Sequence, residues 1–122
     1  MRTLLATLAL AGSAAAQDFT FNDFSNASGL VLLEDAAAAN NILRVTSATT
    51  YVKGAAYWED PVSVVDGFDT TFVFRISQLS GGGADGMTFI IHNDARGTDA
   101  IADLGTELGY AALASSGPGV AI

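Results

Sequence analysis

The sequence contains no cysteine, only five basic residues, and no apolar run long enough to cross a membrane. Without cysteine the fold cannot rely on disulfides, so buried apolar side chains have to stabilise it. The five basic residues stand against thirteen acidic ones, giving a net charge of −8. This balance argues against nucleic acid or an anionic membrane as partner, because neutralising phosphates needs clustered Lys and Arg. Half of the 122 residues are hydrophobic, which excludes a disordered chain and suits one packed domain.

Residues 1–16 have the pattern of a secretory signal peptide. Arg2 supplies a positive charge, residues 4–10 form a short apolar stretch, and residues 14–16 are alanines that precede a cut before Gln17. The stretch is shorter than the roughly 20 residues of a membrane span. An amphipathic N-terminal helix is the alternative. We therefore predict a secreted protein, extracellular or periplasmic, whose domain covers residues 17–122.

The remaining apolar pattern is typical of short β-strands. It alternates most clearly at residues 70–76, where Phe72, Phe74 and Ile76 share one face. Further strands are predicted at residues 19–24, 30–33, 42–45 and 87–91. Turn-forming Gly, Asn and Asp residues separate these runs. The pattern predicts an all-β sandwich or barrel.

Four consecutive alanines at residues 36–39 have high helix propensity. Asp35 and Asn40 bound them, and isolated helices this short are marginal in water. We therefore expect a loop or a single turn here.

Four segments follow one another in a specific order: residues 54–58 (Gly-Ala-Ala-Tyr-Trp), 67–74, 83–91 and 104–110. Together they resemble the N-terminal portion of the legume-lectin-like (L-type lectin) domain in a bacterial secreted form. The similarity runs from about Phe19 to Ile122. It implies an all-β fold, an antiparallel β-sandwich of the concanavalin A-like jelly-roll type. It also implies that this domain is truncated at the C-terminus.

The resemblance implies non-catalytic carbohydrate binding by Asp85 in an Ala-Asp-Gly motif. An ionised carboxylate accepts without donating, so two neighbouring sugar hydroxyls can point at it. The family's peptide before this aspartate is usually cis, so Ala84-Asp85 is expected to be cis. A glycine loop normally adds a backbone N–H; here it corresponds to Gly105, with Thr106 where a second glycine is common. The glycan is therefore the expected partner.

The family's calcium and transition-metal ligands lie on a later strand and the loop after it. Residues 120–122 look like the start of that strand, so the calcium site of the family would lie beyond Ile122. No cofactor is identifiable from the residues present. The competing hypothesis is a truncated structural or interaction fragment without sugar binding. Its exposed strand edges would favour self-association.

No pattern in the chain indicates catalysis. Glycosidases need two carboxylates about 5–9 Å apart, whereas the adjacent Glu59 and Asp60 point to opposite faces of any strand. His92, the single histidine, follows a strand and is expected to be structural. Trp58 could stack on a sugar, but a core position is favoured. We predict a protein that is not an enzyme.

Overall fold

The computed structural model describes residues 18–79, 81–111, 113 and 120–121. The predicted signal peptide, residues 1–16, lies outside this part of the chain, and the predicted domain boundary stays a prediction. Within the described residues the regular structure consists of six short β-strands and two single 3-10 turns, which confirms the predicted all-β class. In the described ranges, no helix has the length and apolar character needed to cross a bilayer. The strands are β1 (Leu30–Glu34), β2 (Ala37–Ala39), β3 (Ile42–Arg44), β4 (Gly54–Trp58), β5 (Thr88–Phe89) and β6 (Val120–Ala121); the turns are Gly97–Asp99 and Gly105–Glu107.

Strands β1 and β4 form the longest ladder in the described part of the chain. They run antiparallel, with Leu30 opposite Trp58 and Glu34 opposite Gly54. The predicted strand at residues 30–33 is therefore confirmed and extends to Glu34. Side chains on both strands are partly buried, which agrees with their apolar composition.

The alanine-rich stretch is a strand, and the expectation of a loop or turn at residues 36–39 is wrong. Strand β2 forms a tight antiparallel hairpin with β3. Asn40 and Asn41 connect the two strands with φ angles of 53° and 62°. Two consecutive residues with positive φ give a hairpin turn whose twist matches that of the strands. The turn therefore brings the alanines to a partner strand, and the ladder overrides their helix propensity.

Strand β6 pairs antiparallel with β5, placing Ala121 opposite Thr88 and Val120 opposite Phe89. The strand predicted to begin at residues 120–122 is thus present at Val120–Ala121. Strand β5 lies inside the run predicted at residues 87–91 and is shorter than expected, because only two of its residues have ladder partners among the described residues.

Residues 70–76, the clearest strand prediction, form no strand. The alternation itself is retained: Phe72 and Phe74 are 43% and 44% exposed, whereas Val73 between them is 98% exposed. A side-chain period of two determines which side chains share a face. A β-ladder also needs the backbone of a second strand to form hydrogen bonds with it. No segment in the described part of the chain supplies one.

Two apolar clusters stabilise the described residues. One contains the buried Ala100, Ala102 and Leu113, with Ile90 and Tyr110 packed against them. This cluster lies directly around the loop that carries Gly105.

The second cluster is aromatic and contains Trp58. The Phe19 ring stacks on Trp58 with centroids 4.5 Å apart, and Phe21 meets the same ring edge-on at 6.1 Å. The indole Nε1 is buried and has no hydrogen-bond partner among the described residues. These contacts agree with the core position favoured for Trp58. The predicted strand at residues 19–24 is irregular instead, and only Phe24 of this segment bonds to the β2–β3 hairpin, through the Asn41 carbonyl at 3.2 Å.

Candidate functional site

Asp85 lies on an exposed turn at the entrance to β5. The Ala84-Asp85 peptide bond is cis, as predicted. Gly83 and Gly86 flank the motif with φ angles of 77° and 134°, a region that side chains disfavour and glycine enters readily. The glycines therefore let the backbone reverse around Asp85 and leave its carboxylate accessible. In the described part of the chain this carboxylate makes no hydrogen bond.

The loop of residues 103–110 is closed by its own backbone. The Ala102 N–H donates to the Gly109 carbonyl at 2.8 Å, and the Gly109 N–H donates to the Asp103 carbonyl at 3.1 Å. Inside the loop, the Leu108 N–H donates to the Gly105 carbonyl at 3.0 Å. Positive φ angles at Gly105, Leu108 and Gly109, of 73°, 48° and 71°, allow the chain to turn this tightly.

The two predicted elements of the site meet. A Cβ atom built on Gly105 would lie 3.9 Å from Oδ2 of Asp85, so the loop passes close to the carboxylate at this residue. Thr106 follows in the same 3-10 turn and is exposed. No hydrogen bond within the described residues uses the N–H of Gly105 or of Thr106. The Asp85 carboxylate and two backbone N–H groups without a hydrogen bond therefore lie on neighbouring segments of the described structure.

Two residues that the sequence analysis missed hold this loop in place. Thr88 on β5 donates its Oγ1 hydroxyl to the Leu108 carbonyl at 3.3 Å. Lys53, just before β4, donates its Nζ to the Ala102 carbonyl at 3.0 Å and lies 3.8 Å from the Asp103 carboxylate. Thr88 ties the loop to the strand that follows Asp85. Lys53 is the chain's single lysine, but nothing local in the sequence indicates that it faces this loop.

The electrostatic surroundings of the site are acidic. Asp103 and Glu107 lie in the same loop as Gly105, and the Asp103 N–H donates to a Glu107 carboxylate oxygen at 3.1 Å. Lys53 offsets part of this charge through Asp103. The Asp103 side chain remains 74% exposed, so solvent screens the pair and its stabilisation is small. The site is therefore suited to uncharged hydroxyl groups and unfavourable for anionic ones.

His92 and Tyr57 have structural contacts rather than a place beside Asp85. The Asp94 N–H donates to His92 Nδ1 at 3.1 Å, and the His92 and Tyr57 rings meet edge-on at 5.0 Å. The Tyr57 hydroxyl donates to the Ala100 carbonyl at 2.7 Å, which joins β4 to the buried cluster. Burial raises the pKa of Tyr57; the nearby Arg96 opposes this and Asp94 adds to it.

Asp94 is the one buried acidic residue in the described part of the chain, at 8% exposure. Arg96 neutralises it with two parallel hydrogen bonds, Nε to Oδ1 at 2.8 Å and Nη2 to Oδ2 at 3.0 Å. The hydrogen bonding of the Arg96 guanidinium to the Asp94 carboxylate raises the pKa of Arg96. This fork geometry is the usual way to bury a carboxylate, so the pair is structural.

The calcium site that the resemblance implies would lie beyond Ile122, outside the residues that the structure describes. Among them, no group of three or more His, Asp or Glu side chains converges closely enough to hold an ion. Calcium needs six to eight oxygen ligands around one point.

A comparison with known families shows which one the chain is similar to. The family model described as legume lectin domain covers residues 16–117 of the chain. This domain is a concanavalin A-like β-sandwich, which confirms the predicted fold, and its members are generally without enzymatic activity. No curated protein and no solved structure gave a significant match.

Proposed function

The chain belongs to the legume lectin domain family, and from this premise we propose that it binds carbohydrate through Asp85. The glycine loop at Gly105 and Thr106 supplies the second part of the site. The observation that carries the proposal is the approach of the glycine loop to Asp85, where a Cβ built on Gly105 would lie 3.9 Å from Oδ2. We also propose that the protein is secreted, on the strength of the signal-peptide pattern at residues 1–16.

The proposed recognition uses complementary hydrogen bonds to a pair of adjacent sugar hydroxyls. The Asp85 carboxylate accepts from both hydroxyls, because an ionised carboxylate has several lone-pair directions and no proton to donate. The N–H of Gly105 donates to the oxygen of one of them. A hydroxyl can donate and accept at once, so a sugar satisfies both protein groups without changing their protonation.

The proposed activity is binding without catalysis. Hydrolysis of a glycosidic bond needs a second carboxylate placed across the bond from the first. Asp103 and Glu107 are the acidic groups of the neighbouring loop, and both are already engaged in the hydrogen bonds that shape it. The site is open and exposed, so few sugar atoms are buried and modest affinity is expected.

An isosteric substitution tests this proposal. Asp85→Asn keeps the shape of the side chain but replaces one carboxylate oxygen by an NH2 group. This group is a donor and cannot accept a hydrogen bond from a sugar hydroxyl. Each hydrogen bond to a charged group contributes about 1.5–3 kcal/mol. Loss of one such bond therefore weakens binding by about tenfold or more. Isothermal titration calorimetry with a panel of neutral mono- and oligosaccharides measures the effect.

Asp60→Asn is the matched control. Asp60 is exposed on the bend after β4 and makes no hydrogen bond within the described residues. The Asp60→Asn variant changes the net charge by the same amount as Asp85→Asn and is expected to leave sugar binding unchanged. Equal affinities for the wild type and Asp85→Asn, or no detectable binding of any glycan in the panel, would contradict the proposal.

A further inference from the structure

Lys53 directly precedes β4, and its side chain reaches the segment that leads into the glycine loop. The ammonium donates a hydrogen bond to the Ala102 carbonyl at 3.0 Å and lies 3.8 Å from Oδ1 of Asp103. Only 25% of the Lys53 side chain is exposed, whereas most lysines keep their charged end in water. A lysine that is mostly covered and bonded to a backbone carbonyl holds a neighbouring segment in place.

Tyr57 makes the same kind of contact further along the strand. Its hydroxyl donates to the Ala100 carbonyl at 2.7 Å. Lys53 and Tyr57 are four residues apart, so their side chains point to the same face of an extended strand. No β-ladder joins β4 to residues 100–102 in the part of the chain that the structure describes. Two side chains of one strand face therefore fix this segment, through the carbonyls of Ala100 and Ala102.

Asp103 connects the contact of Lys53 to the site. Its Oδ1, the atom that faces the ammonium, also accepts a hydrogen bond from the Leu104 N–H at 2.8 Å. Leu104 directly precedes Gly105, and a Cβ built on Gly105 would lie 3.9 Å from Oδ2 of Asp85. Movement of Asp103 would therefore displace the backbone next to Gly105 and change its distance from the Asp85 carboxylate.

Lys53 has other carboxylates nearby but does not pair with them. Glu34 and Asp35 line the same groove as Lys53. The Asp35 carboxylate accepts instead from the Ser47 backbone N–H. Within the described residues, the one ion pair of Lys53 joins it to Asp103. The ammonium is therefore directed at the base of the glycine loop rather than shared among the surrounding acids.

We propose that Lys53 is a positioning residue for the carbohydrate binding proposed above, on which this step rests. Its contacts hold the glycine loop at the distance from Asp85 at which the Gly105 backbone and the carboxylate contact one sugar together. A loop that is not held has to be ordered when the sugar binds, and the lost conformational entropy weakens binding. The contacts of Lys53 order the loop before the sugar arrives.

Substitutions of Lys53 in the full chain test this role. Lys53→Met keeps an unbranched apolar side chain and removes the ammonium. A hydrogen bond from a charged group is then lost at the base of the loop, and we expect the affinity for a neutral glycan to fall about tenfold. Lys53→Arg retains the charge and the N–H donors, so it should recover most of the lost affinity. Isothermal titration calorimetry measures all three affinities.

Arg75→Met is the matched control. It removes the same charge from an exposed position that has no hydrogen bond or ion pair within the described residues, and it should bind as the wild type does. Circular dichroism melting sets a titration temperature below the transition of every variant. If Lys53→Met does not fold, Lys53→Gln replaces it. Glutamine keeps a neutral N–H donor for the carbonyl, so its loss of affinity should be smaller than tenfold but measurable.

Nuclear magnetic resonance supplies a readout at the loop itself. The amide chemical shifts of Gly105 and Thr106 should change in Lys53→Met, return towards the wild-type values in Lys53→Arg, and stay unchanged in Arg75→Met. A general loss of stability would not produce this pattern, because the spectra are recorded on folded protein.

The outcomes separate this role from the proposed function. A wild type that binds no glycan contradicts carbohydrate binding and the role of Lys53 together. Loss of binding in Asp85→Asn with wild-type affinity in Lys53→Met leaves carbohydrate binding in place and overturns the role of Lys53. Equal losses in Lys53→Met and Lys53→Arg overturn it as well. So does an equal loss in Arg75→Met, which would show that net charge alone controls the affinity.

Discussion

Replacing Gly105 by alanine tests whether this glycine is needed only for the conformation of the loop or also for sugar binding beside Asp85. Gly105 has a φ of +73°, and a Cβ there would lie 3.9 Å from Asp85 Oδ2. Gly109, in the same loop, is a close match: its φ is +71°, and a Cβ would lie 3.9 Å from Cγ1 of Ile101. Both methyl groups fit at ordinary contact distance, so neither variant suffers a clash. The variants differ in whether the methyl group faces the carboxylate or an apolar side chain.

The two substitutions should cost similar stability. An alanine held at left-handed φ costs about 1–2 kcal/mol. For a domain of this size such a cost lowers the melting temperature by about 5–15 °C. Thermal denaturation followed by circular dichroism should therefore show two comparable decreases, for Gly105→Ala and for Gly109→Ala.

Sugar binding should distinguish them. A hydroxyl bonded to Asp85 Oδ2 places its oxygen about 2.5–3.0 Å from that atom. A methyl group at 3.9 Å occupies part of the space through which the hydroxyl approaches. Losing one charge-assisted hydrogen bond costs about 1.5–3 kcal/mol, or about 10- to 150-fold in affinity. Calorimetry below both melting transitions should show this loss for Gly105→Ala and near wild-type affinity for Gly109→Ala.

Two results would contradict a role of the Gly105 backbone in sugar binding. Equal affinities for Gly105→Ala and the wild type would mean that the loop backbone does not face the bound sugar. Equal losses in both variants would mean that loop strain, rather than the group beside Asp85, determines binding.

Two further predictions concern stability. Gly54→Ala should lower the free energy of unfolding by about 3 kcal/mol, because its Cβ would overlap the Val45 carbonyl oxygen; an unchanged urea midpoint would contradict this. Burial raises the pKa of Tyr57 in the folded protein. The stability that the neutral Tyr57 hydroxyl contributes is therefore fully present below the pKa of the unfolded chain, about 10. It is lost as the pH rises through the higher pKa of the folded state. The melting temperature between pH 8 and 11 should therefore fall less steeply with pH for Tyr57→Phe than for the wild type. Equal slopes for the two proteins would show that ionisation of Tyr57 does not affect stability.

Local signals in the sequence predicted the fold class well and individual strands unevenly. Strand β1 could be predicted from little more than the apolar composition of its residues. The alanines of β2 were misassigned because the positive φ angles of Asn40 and Asn41, which create their hairpin, depend on the turn as a whole. Residues 70–76 show the opposite error: the alternation was correct, but the ladder it implied requires a partner that periodicity cannot reveal.

The all-β class could be predicted from the amino-acid sequence, and so could the places of Asp85 and Gly105 within motifs that resemble a family. These properties follow from side-chain period, turn residues and motif order, all of which are local. Tertiary packing brings the Gly105 loop close to the Asp85 carboxylate and places Thr88 and Lys53 against that loop. It also leaves residues 68–76 without a strand partner among the described residues. Such contacts join residues distant in the chain, and their formation depends on the packing of the whole domain rather than on any single segment.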